Sequence, residues 1–247
     1  HAAGTAEYGA GGGIVWDSRA ANEYAEALAK TRLLDAPPAD TRLLETLLWR
    51  PGRGWFLRRG HLRRLAASAR RLGFCCDDDA VRRRLDAAVA GAAASRRVRL
   101  TLARDGGIAV ETAPAPTPPD RPWRVCLAAE PVDPGLPLLR HKTTWRVLYD
   151  AARAARPGFD DVLLWNTRGE LTEATVANLA LRLGGRWFTS PLACGLLPGV
   201  CRAHLLRAGR LAERVLTHGD LRAAEAVALF NSLRGWIPAE IADAPTA

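Results

Sequence analysis

Hydrophobic positions along this chain repeat with two different periods, and the switches between them outline its elements. RLLETLLW (42–49) and WFLRR (55–59) flank the turn sequence PGRG, which predicts a β-hairpin. In the RRGHLRRLAASARR run that follows, Leu62, Leu65, Ala66, Ala69 and Leu72 fall on one helical stripe. A second helix is expected from Asp77 to Ala94, and RRVRLTLARDGGIAVET predicts a hairpin turning at Asp105, Gly106 and Gly107. Past a proline-rich break, APAPTPPDRP (113–122), come a strand (WRVCLAAE), a helix over about 144–155 and a strand (DDVLLWN). LTEATVANLALRL alternates as strands do, GGRWFTSP reads as a hairpin, PLACGLLPGVCRAHLLRAG as a loop entering a helix, and EAVALFNSLRGWIPA as a strand and turn.

Strands and helices are thus mixed in both halves, and no repeat is visible. The expected fold class is α+β (α/β mixed) in two lobes: a small lobe over 41–114, a Pro-rich connection at 115–122 and a large lobe over 123–247. Ahead of these, DSRAANEYAEALAKTRLL carries a helical pattern that Asp17 or Ser18 could cap, and DAPPAD (35–40) reads as a linker.

Composition narrows the class. With 247 residues, 48% hydrophobic and 25% charged, the chain can bury a substantial core. No apolar run reaches the roughly 18 residues of a membrane span, so no membrane partner is expected, and a cytoplasmic location is. Five cysteines without a C-x-x-C pair, and five scattered histidines, point to reduced thiols and no metal site. The chain starts at His1 and contains no methionine, which suggests a processed chain or a piece of a longer one. A net charge of +9 raises a nucleic-acid partner, but the densest basic run is explained by the solvated face of the amphipathic helix, so none is expected.

The charge holds a further signal. Of 35 Lys and Arg residues only Lys30 and Lys142 are lysine, and Lys142 lies in the motif-like HKTTWRVLYDAA. Arginine does not give up its proton, whereas a lysine amine can become neutral and attack a carbonyl. HKTT, LLWNTRGELTEATVANL, GLLPGVCRAHLL and LFNSLRGW, in that order over about 100 residues, resemble the class IV aminotransferases, which are fold-type IV pyridoxal 5'-phosphate (PLP) enzymes. Within that family the likeness is greatest to the 4-amino-4-deoxychorismate lyases, and it runs from about Arg42 to Ile237. GGGIVWDSRAANEYAEALAKTRLL resembles instead the carboxyl-terminal end of aminodeoxychorismate synthases. That likeness makes residues 1–34 a remnant of a fused synthase, with Glu23 and Glu26 matching its acidic metal ligands.

The resemblance assigns roles residue by residue. Lys142 matches the Schiff-base lysine, and Glu173 the acid facing the pyridine nitrogen. Arg59 (with neighbouring Arg58 as rival), Val200, Cys201 and Ser232 match the phosphate cup. Thr46 matches the threonine that protonates the departing enolpyruvyl group, giving 4-aminobenzoate and pyruvate. The implied substrate is a small-molecule dicarboxylate, for which Arg104 and Arg234 are the preferred partners, with Arg140 and Arg146 as further candidates. The RGY-type loop of some stand-alone lyases is absent, LARDGGIAV standing in its place. Family members usually pair, so a homodimer is expected. Asn166, Asn178 and Tyr149 are expected to support the site. The rival readings are a branched-chain or D-amino-acid aminotransferase and a non-enzymatic basic binding module.

Overall fold

The computed structural model describes residues 38–242. The helix read after Asp17, the synthase-like segment at 1–34 and the first half of the 35–40 linker lie outside them. Residues from Thr41 onward belong to one compact unit, which carries every element described below.

Its first sheet has the order β2-β1-β3-β4, all antiparallel, from β1 (Leu43–Arg50), β2 (Gly54–Trp55), β3 (Arg96–Leu102) and β4 (Ile108–Pro114). Helices α1 (Arg58–Leu72) and α2 (Asp78–Ala88) cover one face, where Leu62, Leu65 and Ala69 meet Leu43, Leu47, Val98 and Leu100. The stripe read from the sequence is the buried face of α1. The helix starts earlier than expected because Leu57 takes a left-handed φ of 54° as its N-cap, and it stops at Gly73, φ 71°. Asp77 caps α2 by accepting from the amides of Asp79 and Ala80. The helix ends at Ala88, short of the expected Ala94, where the chain turns through Gly91 at φ 72°.

The second sheet contains β5 (Trp123–Leu127), β6 (Asp161–Trp165), β7 (Leu171–Ala174), β8 (Asn178–Leu183), β9 (Arg186–Thr189), β10 (Ala212–Glu213), β11 (Ala226–Asn231) and β12 (Gly235–Ile241). Its order is β10-β9-β8-β11-β12-β5-β6-β7, and β7 pairs again with β8 through Glu173 and Asn178. Six strands thereby close into a ring around Leu163, Leu171, Leu179, Leu229 and Ile237, all fully buried. β12 extends beyond the expected turn even though it contains Pro238. It pairs antiparallel with β11 and parallel with β5. Helices α3 (Val147–Ala154), α4 (Val200–Arg207) and α5 (His218–Ala223) pack around the ring. Among the described residues no helix is long and apolar enough to cross a membrane, and no His, Cys, Asp and Glu group could hold a metal.

Candidate active site

A cavity of about 630 Å³ opens between the bare face of the first sheet and the ring. The HKTT segment enters it as an added rung on β1. The amide of Leu44 donates to the Lys142 carbonyl (2.9 Å), that of Thr144 to the Arg42 carbonyl (2.9 Å), and that of Arg42 to Thr144 Oγ1 (3.0 Å). This pairing fixes the backbone of Lys142, whose amine lines the cavity and has no hydrogen-bond partner among the described residues. Burial first, then Arg64 and Arg146, push the amine down to about 8, against the pull of Glu45 and Glu173. Arg140, a further candidate from the sequence for the substrate carboxylates, is exposed and does not line the cavity.

Glu173 faces the cavity from β7 and is 4% exposed. Oε1 accepts from Tyr149 Oη (2.9 Å) and the Leu197 amide (3.0 Å), and Oε2 from Asn178 Nδ2 (3.2 Å). Burial pushes its carboxyl up to about 7, even against these donors and against Lys142 and Arg146. Asn178 also donates to the Leu197 carbonyl (3.2 Å), locking the 197–199 loop to the strand pair that carries Glu173.

The cavity has an anion-binding end. Arg64, on α1, gives Nε and Nη2 to the two oxygens of Glu45 (2.8 and 2.7 Å) and Nη1 to the Pro198 carbonyl (3.1 Å). Three of its five N–H donors are thus engaged, leaving one on each terminal nitrogen. Glu45 is 2% exposed, and burial opposes its charge, yet Arg64 and His61 hold it at about 2. Being ionised it can only accept, so His61 Nδ1, 2.7 Å away, carries the proton between them. Opposite stands the N-terminus of α4, which has no side-chain cap, so its first amides are open. Two glycines permit this approach. A Cβ on Gly60 would lie 2.5 Å from Val200 Cγ1, and one on Gly199 would lie 1.8 Å from Asn178 Oδ1. Ser232, 8% exposed, lines the same cavity within a turn fixed by Asn231 Oδ1, which accepts from the amides of Leu233 (3.0 Å) and Arg234 (2.8 Å).

Thr46, Lys142, Glu173, Val200, Cys201, Ser232 and Arg234 therefore share one cavity. Arg59 does not join them. It lies five residues before Arg64, about 140° around the helix, and is exposed. Neighbouring Arg58 is no substitute, since it pairs with Asp86 (2.9 Å) over the Trp55 ring. The helix presents Arg64 to the cavity, and the polar stripe His61, Arg64, Ser68 at i, i+3, i+7 was the available signal. Arg104 also falls outside: it donates to the Leu72 carbonyl (2.8 Å) and stacks on Phe74. Arg97 and Arg99, unnoticed in the sequence, line the cavity from β3, and their alternation with Val98, Leu100 and Leu102 marked their face. Burial pushes the Cys201 thiol up to about 11, so its contribution is its backbone amide.

Comparison with known proteins shows the family. A Schizosaccharomyces pombe protein provisionally named an aminodeoxychorismate lyase is 34% identical over 204 residues, covering 79% of this chain and 87% of that protein. A crystal structure from Mesorhizobium loti, provisionally named an amino-acid aminotransferase, is 42% identical with a TM-score of 0.78, covering 82% of this chain and 100% of that one. The crystal structure of 4-amino-4-deoxychorismate lyase from Pseudomonas aeruginosa is 27% identical with a TM-score of 0.72, covering 83% and 84%. Residues 42–241 match the amino-transferase class IV model, and the chain belongs to that family.

Proposed function

We propose that this chain binds pyridoxal 5'-phosphate at Lys142 and converts 4-amino-4-deoxychorismate into 4-aminobenzoate and pyruvate. The observation that carries this reading is one cavity holding an unpartnered amine, a buried carboxyl and an anion-binding end. The residues fit the cofactor. Two free N–H groups of Arg64, the amides of Val200 and Cys201 and the Ser232 hydroxyl suit a phosphate dianion, and Glu173 suits a protonated ring nitrogen. When bound, the cofactor supplies the electron sink for breaking a C–H bond. Lys142 takes the proton from the amine-bearing ring carbon, and the C–O bond to the enolpyruvyl group breaks as the ring becomes aromatic. Thr46, half-buried on the cavity wall, supplies the proton that turns the departing group into pyruvate.

The likeness to the Schizosaccharomyces pombe protein supports the lyase, whereas the higher identity of the Mesorhizobium loti structure favours a second reading, amino-acid aminotransferase. Supplying aminodeoxychorismate and, separately, an amino acid with a 2-oxo acid decides between them. Formation of 4-aminobenzoate with one pyruvate each supports the lyase, and amino transfer without 4-aminobenzoate refutes it. The same reading includes a cytoplasmic homodimer in folate synthesis, with residues 1–34 as a synthase remnant and 115–122 as the interlobe connection. A monomer in sedimentation at micromolar concentration would contradict the dimer.

Glu45 acts on the cofactor through Arg64, which gives a separable expectation. Glu45→Gln removes the charge that orients the guanidinium, and affinity for the phosphorylated cofactor falls roughly 10-fold. Affinity for pyridoxal, which lacks the phosphate, changes far less in an equilibrium titration. Equal loss for both would mean that Glu45 only supports the fold.

A further inference from the structure

Five arginines other than Arg64 line the cavity, and they differ in what they already hold. Arg146 donates to the Thr175 carbonyl (2.6 Å) and lies over the Tyr149 ring, Arg153 faces Asp161 (3.4 Å), and Arg234 stacks on Trp123. The side chains of Arg97 and Arg99 make no hydrogen bond or ion pair among the described residues. They are alternate residues of β3, so they leave the same face, about 7 Å apart along the strand. The pairing register sets Arg99 directly opposite Thr46 on β1 and Glu111 on β4, and Arg97 opposite Leu48 and Ala113. Glu111 shares this face but is exposed and forms no ion pair with Arg99. Two neighbouring cations on a cavity wall repel each other, and an anionic ligand turns that repulsion into attraction. Their planar forks suit a carboxylate.

We propose that Arg97 and Arg99 form the subsite for the carboxylate of the three-carbon group that leaves the substrate, holding that group against the Thr46 hydroxyl. The inference rests on the lyase reading and deepens it. The choice between the substrate's two carboxylates follows from register: Thr46, the proton donor to the leaving group, is the cross-strand neighbour of Arg99. Arg234, on its Trp123 platform in the turn between β11 and β12, is left for the ring carboxylate.

Pyruvate keeps the same carboxylate after the bond breaks, so it binds this subsite as a product inhibitor. The test measures inhibition of the cofactor-loaded full chain by pyruvate and by 4-aminobenzoate, in the wild type and in Arg97→Gln, Arg99→Gln and Arg99→Lys. The inhibition constant for pyruvate and the KM for substrate should rise roughly 10-fold or more in both Gln variants. Inhibition by 4-aminobenzoate and the absorption band of bound cofactor should not move, and Arg99→Lys should recover part of the loss. Unchanged pyruvate inhibition, a wild type insensitive to pyruvate, or equal weakening of both products overturns the subsite while the lyase reading stands. A wild type that forms no 4-aminobenzoate takes both down. Arg97 is exposed, so its variant reports even if Arg99→Gln folds poorly.

Discussion

Lys142→Ala is expected to cut 4-aminobenzoate formation by roughly 10⁴-fold or more while leaving the fold at least as stable. The two halves of this result share one cause. The amine is held down to about 8 by burial and by the cations Arg64 and Arg146, so near neutral pH the folded chain confines a charge that the unfolded chain would solvate. Deleting the amine removes that penalty, which exists below about 8 and vanishes as the pH passes the ordinary lysine value of 10.5. Chemistry suffers because no neighbour can replace a neutral primary amine. Thermal unfolding without cofactor, at neutral pH, should show a melting temperature equal to or above that of the wild type. Retained turnover, or a clear drop in melting temperature, would make Lys142 a structural residue instead.

Glu173→Gln comes second, with an expected fall in kcat of roughly 100-fold. The amide keeps the shape of the side chain but cannot carry the charge that a protonated ring nitrogen requires. It also turns an N–H toward one of the three donors Tyr149 Oη, the Leu197 amide and Asn178 Nδ2, at a cost of about 1–3 kcal/mol. A pH signature separates the two effects. The carboxyl is raised from 4.5 to about 7 in the folded chain, so its contribution to stability is full below 4.5 and lost as the pH rises through about 7. The cofactor-free wild type should lose stability across that window, and the Gln variant should lose less. Identical pH profiles for the two proteins would show that Glu173 does not titrate there.

Much of this arrangement was legible in the residues. The α1 stripe, the hairpin at Gly106 and the strands on either side of the turn after Glu173 follow from local sequence, and the structure keeps them. What failed depended on direction around an axis or on distant pairing. Arg59 and Arg64 both lie on a basic helix, and only the packing of α1 against β1 and α4 decides which one meets the cavity. Arg104 follows β3 closely in sequence, but the chain turns there, and the side chain falls back over Phe74. The closing of the ring through β7 and β8 has no local signature. Helix α5 does have one, the capping box of Thr217 and Asp220, but its six residues are too few to show a helical period.

The rung that joins Lys142 to β1 has a mechanical corollary. The amine's own main chain is laced to the strand bearing Thr46, with Arg99 on the next strand, so these three groups stand on one continuous hydrogen-bonded sheet. Glu173 is anchored to the opposite wall. Opening of the cleft would therefore leave Lys142 and Thr46 in step, so on the roles proposed above a loosened molecule keeps its two proton transfers aligned.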